Sequence, residues 1–200
     1  DDPLRPGIVH RLDKDASGVM VVALTQESFE SLIRQFKLRQ VKKEYLVLVA
    51  GRVTPTEGVI DLPIGRSKKD YTKRAVHSTS VIPVEESLPG STGGIQSRPA
   101  VTRYEVLEQF KHSALVRVIP ETGRTHQIRV HFFAKGNPVV GDPLYVSSRA
   151  TGERSRRRKA SRLMLHAERL GFHDLSGEWQ KYHVLPSDEF EKIVQDARVA

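Results

Sequence analysis

The residues that could carry chemistry lie in two charged segments that are far apart in the sequence. Near the start, His10, Arg11 and Asp13 lie between a Pro–Gly turn and the apolar stretch 19–24. Ionised groups held close to a hydrophobic core need partners. A second charged segment, residues 121–131, belongs to the other half of the chain and supplies arginines and histidines. We expect the fold to bring the two segments together.

The residues of the first segment allow two explanations, a solvated loop or a functional site. A carboxylate that is removed from water, as Asp13 would be in a site, takes up a proton unless a cation keeps it ionised. An ionised carboxylate can attack a substrate or assist the departure of a leaving group. Charges placed between apolar runs are unusual for a purely structural segment, but the residues alone leave both explanations open.

Two other kinds of site are not expected. Four histidines invite a metal interpretation: His10, His126, His131 and His166. No cysteine is present, however, and a spacing of five does not place His126 and His131 on one face of a helix. Ser17, His10 and Asp13 have the composition of a nucleophile triad, but no Gly-x-Ser-x-Gly elbow surrounds the serine. We therefore expect neither a bound metal nor a serine nucleophile.

Composition narrows the classes of partner. The chain has 32 Lys and Arg against 24 Asp and Glu, a formal net charge of +8, which favours a polyanion as partner. The absence of cysteine excludes a disulfide framework, an iron–sulfur cluster and thiolate zinc, and it fits a reducing compartment. No apolar run reaches the roughly 18 to 20 residues that span a bilayer. Because the sequence starts without Met, we expect an earlier N-terminal part to be missing.

Apolar periodicity predicts the elements that position the first segment. Residues 18–24 are nearly continuous in apolar side chains, which predicts a central strand. Thr25 is a suitable N-cap for a helix over residues 26–39, where apolar residues recur at helical spacing. Residues 42–50 predict another strand, and residues 59–64 a short one.

The second half predicts further strands and a helix that carries the second charged segment. Thr125 is the expected N-cap of this helix, which runs to Lys135 and is followed by Gly136 as C′ residue. The other predicted elements are strands at 101–107, 115–119, 163–172 and 179–184 and a final helix at 187–197. The expected fold is α+β, a mainly antiparallel mixed sheet with a few flanking helices, and all 200 residues are expected to form a single domain.

Three polar segments lack periodicity. Residues 65–74 form a basic loop that is either a solvated hairpin tip or a phosphate contact. Residues 85–98 are rich in Ser, Gly and Pro and predict a flexible connection. Residues 154–162 contain clustered arginines, which indicate either an RNA-contacting loop or a solubilising insertion.

Motifs along nearly the whole chain resemble one known family. HRLDKDASG (residues 10–18) is followed in order by KKEYLVLVAG (42–51), LPIGR (62–66), TGRTHQIRVH (122–131), NPVVGDPLY (137–145) and RLMLHAERLGF (162–172). Together they resemble the motifs of the RluA-type family of RNA pseudouridine synthases. One departure is Ala16, where the family usually has Thr.

The resemblance implies roles for the matching residues. Asp13 would be the catalytic carboxylate and Arg129 its ion-pair partner. Tyr45, from the Lys-x-Tyr motif, would stack on the target base and could offer its hydroxyl for proton transfer, the alternative being a core tyrosine. Arg11 would fill the space that a flipped nucleotide leaves, and Leu165 would pack beneath the site.

Further substrate contacts are expected from His10, Arg66 and Arg124, which lie in the same motifs. On a helix that starts near Thr125, Arg129 and Phe133 share a face at i,i+4. We therefore expect the guanidinium group of Arg129 to lie against an aromatic wall.

The implied activity is the isomerisation of specific uridines to pseudouridine in structured RNA, with base flipping and without a cofactor. Large-subunit ribosomal RNA is the preferred target, and tRNA is the alternative. A protein of another class, an RNA-binding or chaperone protein on the same scaffold with little or no catalysis, is the competing hypothesis. We expect a cytoplasmic monomer whose partner is RNA.

Overall fold

A computed structural model describes residues 6–67, 70, 72–77, 97–146 and 160–199. Most of the predicted flexible connection at 85–98 lies outside the described residues. So does most of the arginine-rich segment 154–162, together with part of the basic loop at 65–74. No helix in the described ranges is long and apolar enough to cross a membrane.

The described chain contains ten strands and three helices. In order they are β1 (Ser17–Gly18), α1 (Gln26–Lys37), β2 (Lys42–Ala50), β3 (Glu57–Asp61), β4 (Ile64–Arg66), β5 (Arg74–Val76), β6 (Ser97–Arg98), β7 (Val101–Gln109), β8 (Ser113–Pro120), α2 (Gln127–Ala134), β9 (Leu165–His173), β10 (Trp179–His183) and α3 (Asp188–Val199).

A seven-stranded sheet forms the centre of the fold. Its strand order is β1-β9-β2-β8-β7-β3, and β10 also pairs with β9. Only the β1–β9 pair is parallel, so the sheet is mixed and mainly antiparallel. A smaller sheet has the order β5-β4-β6. The predicted α+β class with few helices is confirmed.

The central strand β2 is apolar because it is covered on both faces. Its residues Val47, Leu48 and Val49 are buried, as a strand between two layers requires. Phe132 of α2 and Phe190 of α3 belong to the same core cluster. The helix that carries the second charged segment is thereby fixed against the sheet, and its position relative to β2 is determined by packing.

The helix α1 begins where its cap predicts. The side-chain oxygen of Thr25 accepts a hydrogen bond from the backbone N–H of Ser28, and Ser28 completes a capping box. At the other end, the buried Gln35 side chain donates to the carbonyl of His173 and accepts from its N–H, both at 2.8 Å. These bonds hold the end of α1, and the residues that follow it, beside the end of β9.

The predicted strand over residues 18–24 was wrong. Only Ser17 and Gly18 pair with β9, and Val22 makes one isolated bridge to Ile8. Met20 and Val22 are 43% and 42% exposed, so the apolar run is not buried as a central strand would be. Gly18 has a φ of +122°, and a Cβ there would lie 2.1 Å from a backbone oxygen of β9. The chain therefore crosses the edge of the sheet as a loop.

Two other boundaries differ from the sequence prediction. The expected strand at 59–64 is two strands in different sheets, separated at Pro63, which has no N–H for a ladder. The helix α2 starts at Gln127, not after Thr125, and its N-cap His126 has a φ of +56° and no side-chain cap bond. The side chain of Gln127 instead accepts from the N–H of Arg124, which stabilises this turn. The predicted C′ glycine, Gly136, follows the C-cap with a φ of +86°.

Candidate active site

Asp13 and Arg129 form the predicted ion pair, although they are 116 residues apart. Arg129 Nη1 donates to Asp13 Oδ2 at 3.0 Å. The Arg129 side chain is 5% exposed and the Asp13 side chain is 16% exposed. The loop before β1 supplies the carboxylate, and the first turn of α2 supplies the guanidinium. The fold thus brings the two charged segments together, as expected.

A second carboxylate, which sequence reasoning missed, holds the same guanidinium more tightly. Arg129 donates from Nε to Asp142 Oδ2 at 2.7 Å and from Nη2 to Asp142 Oδ1 at 2.8 Å. The Asp142 side chain is 0% exposed, and it also accepts from the backbone N–H groups of Leu144 and Tyr145. Asp142 lies in the motif NPVVGDPLY, so a charge among apolar residues was the available signal.

Burial and neighbouring charges shift the pKa values of Arg129 and Asp142 in opposite directions. Desolvation lowers the pKa of Arg129, but the hydrogen bonds and charges of Asp142 and then Asp13 raise it above its ordinary value. Desolvation raises the pKa of Asp142, but the Arg129 hydrogen bond and two backbone N–H groups bring it below its usual value. Both groups therefore stay ionised, and Arg129 keeps one N–H group directed at Asp13.

The aromatic wall beside Arg129 is Tyr145, not Phe133 as predicted. The guanidinium carbon lies 5.2 Å from the Tyr145 ring centroid. Phe133 packs against Tyr145, with the two ring centroids 5.9 Å apart. The Tyr145 hydroxyl accepts from the Arg74 N–H at 2.9 Å and hydrogen-bonds with His126 Nδ1 at 3.0 Å. Helical spacing predicted that Phe133 shares a face of α2 with Arg129, but the ring that contacts the guanidinium belongs to Tyr145, in a later loop.

A cleft of about 550 Å³ opens beside Asp13. Four of the residues that the resemblance assigns to the site line it: Tyr45, Arg11, Leu165 and Arg124. Arg66 is not among the lining residues; it is exposed on β4, in the smaller sheet.

Tyr45 lies on β2 and is half-buried in this cleft. Burial, followed by the charge of Asp13, raises its pKa to about 12. The hydroxyl therefore remains protonated at neutral pH, and the ring offers an uncharged aromatic face next to the carboxylate.

His10 lines the cleft but its Nε2 atom is already used. The backbone N–H of Val21 donates to His10 Nε2 at 3.0 Å, and the ring stacks on Phe36 with centroids 4.9 Å apart. Desolvation and the charge of Lys43 lower the pKa of His10 to about 4, so the ring is neutral. His10 holds the loop against α1, and only its ring face and Nδ1 edge are left for a substrate.

The cleft has an excess of positive charge. Its cations come from the first loop, the end of α1, β2 and the turn before α2: Arg11, Lys37, Arg39, Lys43 and Arg124. None of them forms an ion pair with a carboxylate in the described part of the chain. Among the described lining residues, the two acidic ones are already paired, Asp13 with Arg129 and Glu121 with Arg103. An anionic ligand would therefore meet free cations.

The histidines considered for a metal are used in structural hydrogen bonds. His131 bonds to Thr102 Oγ1 and to the Leu62 carbonyl, and His166 bonds to Ser17 Oγ. No group of three His, Asp or Glu residues suited to a metal ion occurs within the described ranges. Because Ser17 pairs with His166, Ser17, His10 and Asp13 do not form a triad.

Comparison with known proteins places this site in a family. The profile of the family described as RNA pseudouridylate synthase matches residues 1–134. The chain belongs to this family. It is 37% identical over 200 residues to Ribosomal large subunit pseudouridine synthase D of Escherichia coli, covering 96% of this chain and 56% of the relative. The RluA-type resemblance is thereby confirmed.

Two further relatives extend the comparison. A Chloroflexus aurantiacus protein named as an uncharacterized RNA pseudouridine synthase is 43% identical over 187 residues, covering 92% of this chain and 52% of that protein. The solved structure of human RNA Pseudouridylate Synthase Domain Containing 4 superposes with a TM-score of 0.75 at 28% identity, covering 96% of this chain and 75% of the human one. The chain spans about half the length of the curated relatives that it matches.

Proposed function

We propose that this protein is an RNA pseudouridine synthase in which Asp13 is the catalytic carboxylate. The observation that carries the proposal is a carboxylate that accepts a hydrogen bond from the buried Arg129 at the wall of a cationic cleft. Family membership supports the same activity. A protein that only binds RNA has no need of a half-buried carboxylate whose partner is fixed by a second, fully buried one.

The reaction is an isomerisation and balances without a cofactor. The bond from ribose C1′ to uracil N1 breaks, the base turns, and C1′ forms a new bond to C5. The proton lost from C5 is balanced by one gained at N1. Asp13 either attacks the nucleotide or assists the departure of the base, and the hydrogen bond from Arg129 holds its carboxylate in place for this role.

Tyr45 and Arg11 are assigned to the everted base. Tyr45 stacks on the uracil, since aromatic side chains bind every base through its π-face. Its raised pKa keeps the hydroxyl protonated, which argues against proton removal by a phenolate. Arg11 is exposed at the cleft and fills the vacated stack with its planar guanidinium. Leu165 forms the apolar base of the pocket, and Arg124 adds positive charge at its edge.

The proposed substrate is large-subunit ribosomal RNA, by analogy with the name of the E. coli relative, and tRNA is the alternative. The excess of unpaired cations in the cleft supports a polyanionic substrate. Cytoplasmic localisation, a monomeric state and a single domain stay predictions.

The test is the substitution Asp13→Asn in the complete gene product, expressed in cells that lack the native gene. Pseudouridines are mapped in ribosomal and transfer RNA, and single-turnover rates are then measured on the RNA so identified. We expect a rate loss of at least about a hundredfold, with RNA affinity kept within a few fold.

Asp15→Asn is the matched control, because Asp15 is exposed in the same loop and does not line the cleft. Full activity of the Asp13 variant would remove this carboxylate from the mechanism. Absence of any modification by the wild-type protein, with RNA binding intact, would favour the RNA-binding alternative.

A further inference from the structure

Lys43 enters the same face of the cleft as Tyr45. Residues 43 and 45 of β2 both line the cleft. The pairing register with β9 shifts between positions 44 and 45, but the extra residue lies in β9, so side chains still alternate along β2 and these two point to one side. Their Cα atoms are about 6.5 Å apart at the usual rise of a strand. Lys42 and Glu44 do not line the cleft; Lys42 is exposed, and Glu44 forms an ion pair with Arg169.

The Lys43 ammonium group lacks an anionic partner among the residues that the structure describes. It forms no ion pair with any described carboxylate, and its nearest ring contact is Phe36, at 6.0 Å from Nζ to the centroid. The side chain is half-buried, and this partial loss of hydration lowers the pKa of the ammonium group. The adjacent His10 ring is neutral, so it neither repels nor balances the ammonium charge. A partly desolvated cation is stabilised when an anion completes its surroundings.

The space beside this ammonium group belongs to the cleft. Gly123 faces it across the pocket, where an added Cβ would lie 3.7 Å from Lys43 Nζ. With no side chain at Gly123, the approach to Lys43 from the turn before α2 stays open. The neighbouring Arg124 adds a second cation at the same rim. The open space is thus bounded by positive charge on two sides.

We propose that Lys43 binds the RNA phosphate adjacent to the everted uridine. The inference rests on the proposed function, in which the uracil stacks on Tyr45. One ribose separates a base from its phosphates, so a base on Tyr45 places a phosphate within reach of a neighbouring side chain on the same strand face. The flexible stem and compact charge of lysine suit a phosphate oxygen. Lys43 is therefore a substrate-binding residue, separate from the Asp13–Arg129 pair.

The test removes the positive charge of Lys43 and, separately, the negative charge of single RNA phosphates. Wild-type protein, Lys43→Met, Lys43→Arg and the control Lys42→Met are assayed on a synthetic RNA stem-loop that carries the mapped target uridine. In a matching series, each phosphate near the uridine is replaced in turn by an uncharged methylphosphonate. We expect Lys43→Met to raise KM about ten- to a hundredfold, with kcat within a few fold, and Lys43→Arg to recover most of the loss.

One methylphosphonate position should weaken the wild-type protein by a similar factor and leave Lys43→Met unchanged. Lys42→Met should match wild type throughout. The proposal would be overturned, with the synthase activity still standing, if Lys43→Met had the KM of the wild type. It would also be overturned if every methylphosphonate position raised KM by the same factor in the wild type and in Lys43→Met. Failure of the wild-type protein to modify any RNA would instead overturn the proposed function. Thermal unfolding midpoints of Lys43→Met and Lys42→Met that equal the wild-type midpoint establish that the fold is intact.

Discussion

The two carboxylates that share Arg129 are expected to differ in what they do. Asp142 accepts two guanidinium hydrogen bonds and two backbone N–H bonds and is fully buried. Asp13 accepts one guanidinium bond and is 16% exposed. We therefore predict that Asp142→Asn chiefly lowers stability, whereas Asp13→Asn chiefly lowers activity.

The magnitude follows from these contacts. A hydrogen bond to a charged group contributes about 1.5 to 3 kcal/mol, and two such bonds from Arg129 agree with the roughly 3 to 5 kcal/mol lost when a buried pair is broken. Asp142→Asn should lower the free energy of unfolding by that amount. Asp13→Asn should cost on the order of 1 kcal/mol, because water can reach this carboxylate and Arg129 keeps its other partner.

Denaturant unfolding at pH 7 measures both values, and Arg129→Met completes a double-mutant cycle. Arg129→Met should itself be strongly destabilised, because it leaves Asp142 buried and unpaired, and adding Asp142→Asn should restore part of the loss. Equal costs for Asp13→Asn and Asp142→Asn, or no rescue in the double variant, would refute this division of roles.

The contribution of Asp142 to the free energy of unfolding depends on pH with a defined sign. The folded pKa of Asp142 is lower than its unfolded value of 3.8, so its contribution to stability is present above that value. The contribution is lost as pH falls through the folded pKa. The stability gap between wild type and Asp142→Asn should therefore be full at pH 7 and begin to shrink only near pH 4.

Two further predictions concern the cleft. Tyr45→Phe should keep RNA affinity and Tyr45→Ala should lose about 1 to 3 kcal/mol of binding energy in an equilibrium titration, because the ring supplies the stacking surface; equal affinities would remove Tyr45 from the base. His10, with a pKa lowered to about 4 from 6.5, stabilises the folded protein above pH 6.5 and loses this contribution as pH falls toward 4. His10→Gln should lack this dependence, and NMR titration of the wild-type ring should give a midpoint near 4; a midpoint near 6.5 would contradict the burial argument.

Local patterns predicted most of the secondary structure. The apolar run of β2 and the Thr25 cap of α1 are consequences of neighbouring residues alone, and both were predicted at the observed positions. The same approach was wrong at residues 18–24, where an equally apolar run crosses the sheet edge. Exposure of Met20 and Val22 depends on what packs over them, which a local pattern does not contain.

Sequence motifs also indicated Asp13 and Arg129 as partners, and the contact is present. They did not reveal Asp142 as the main partner of Arg129, Tyr145 as the ring beside it, or Lys43 as a free cation in the cleft. Regular spacing shows which side chains share a face of one element. It does not show which loop closes over that face.

The amino-acid order by itself therefore determined the class of fold, the main strands and helices, and the chemical types present in the site. Only the tertiary structure decided which charges are paired and which are left free. Pairing depends on the sum of many packing contacts between distant elements, and that sum sets the distances and the burial that separate a structural ion pair from a binding group.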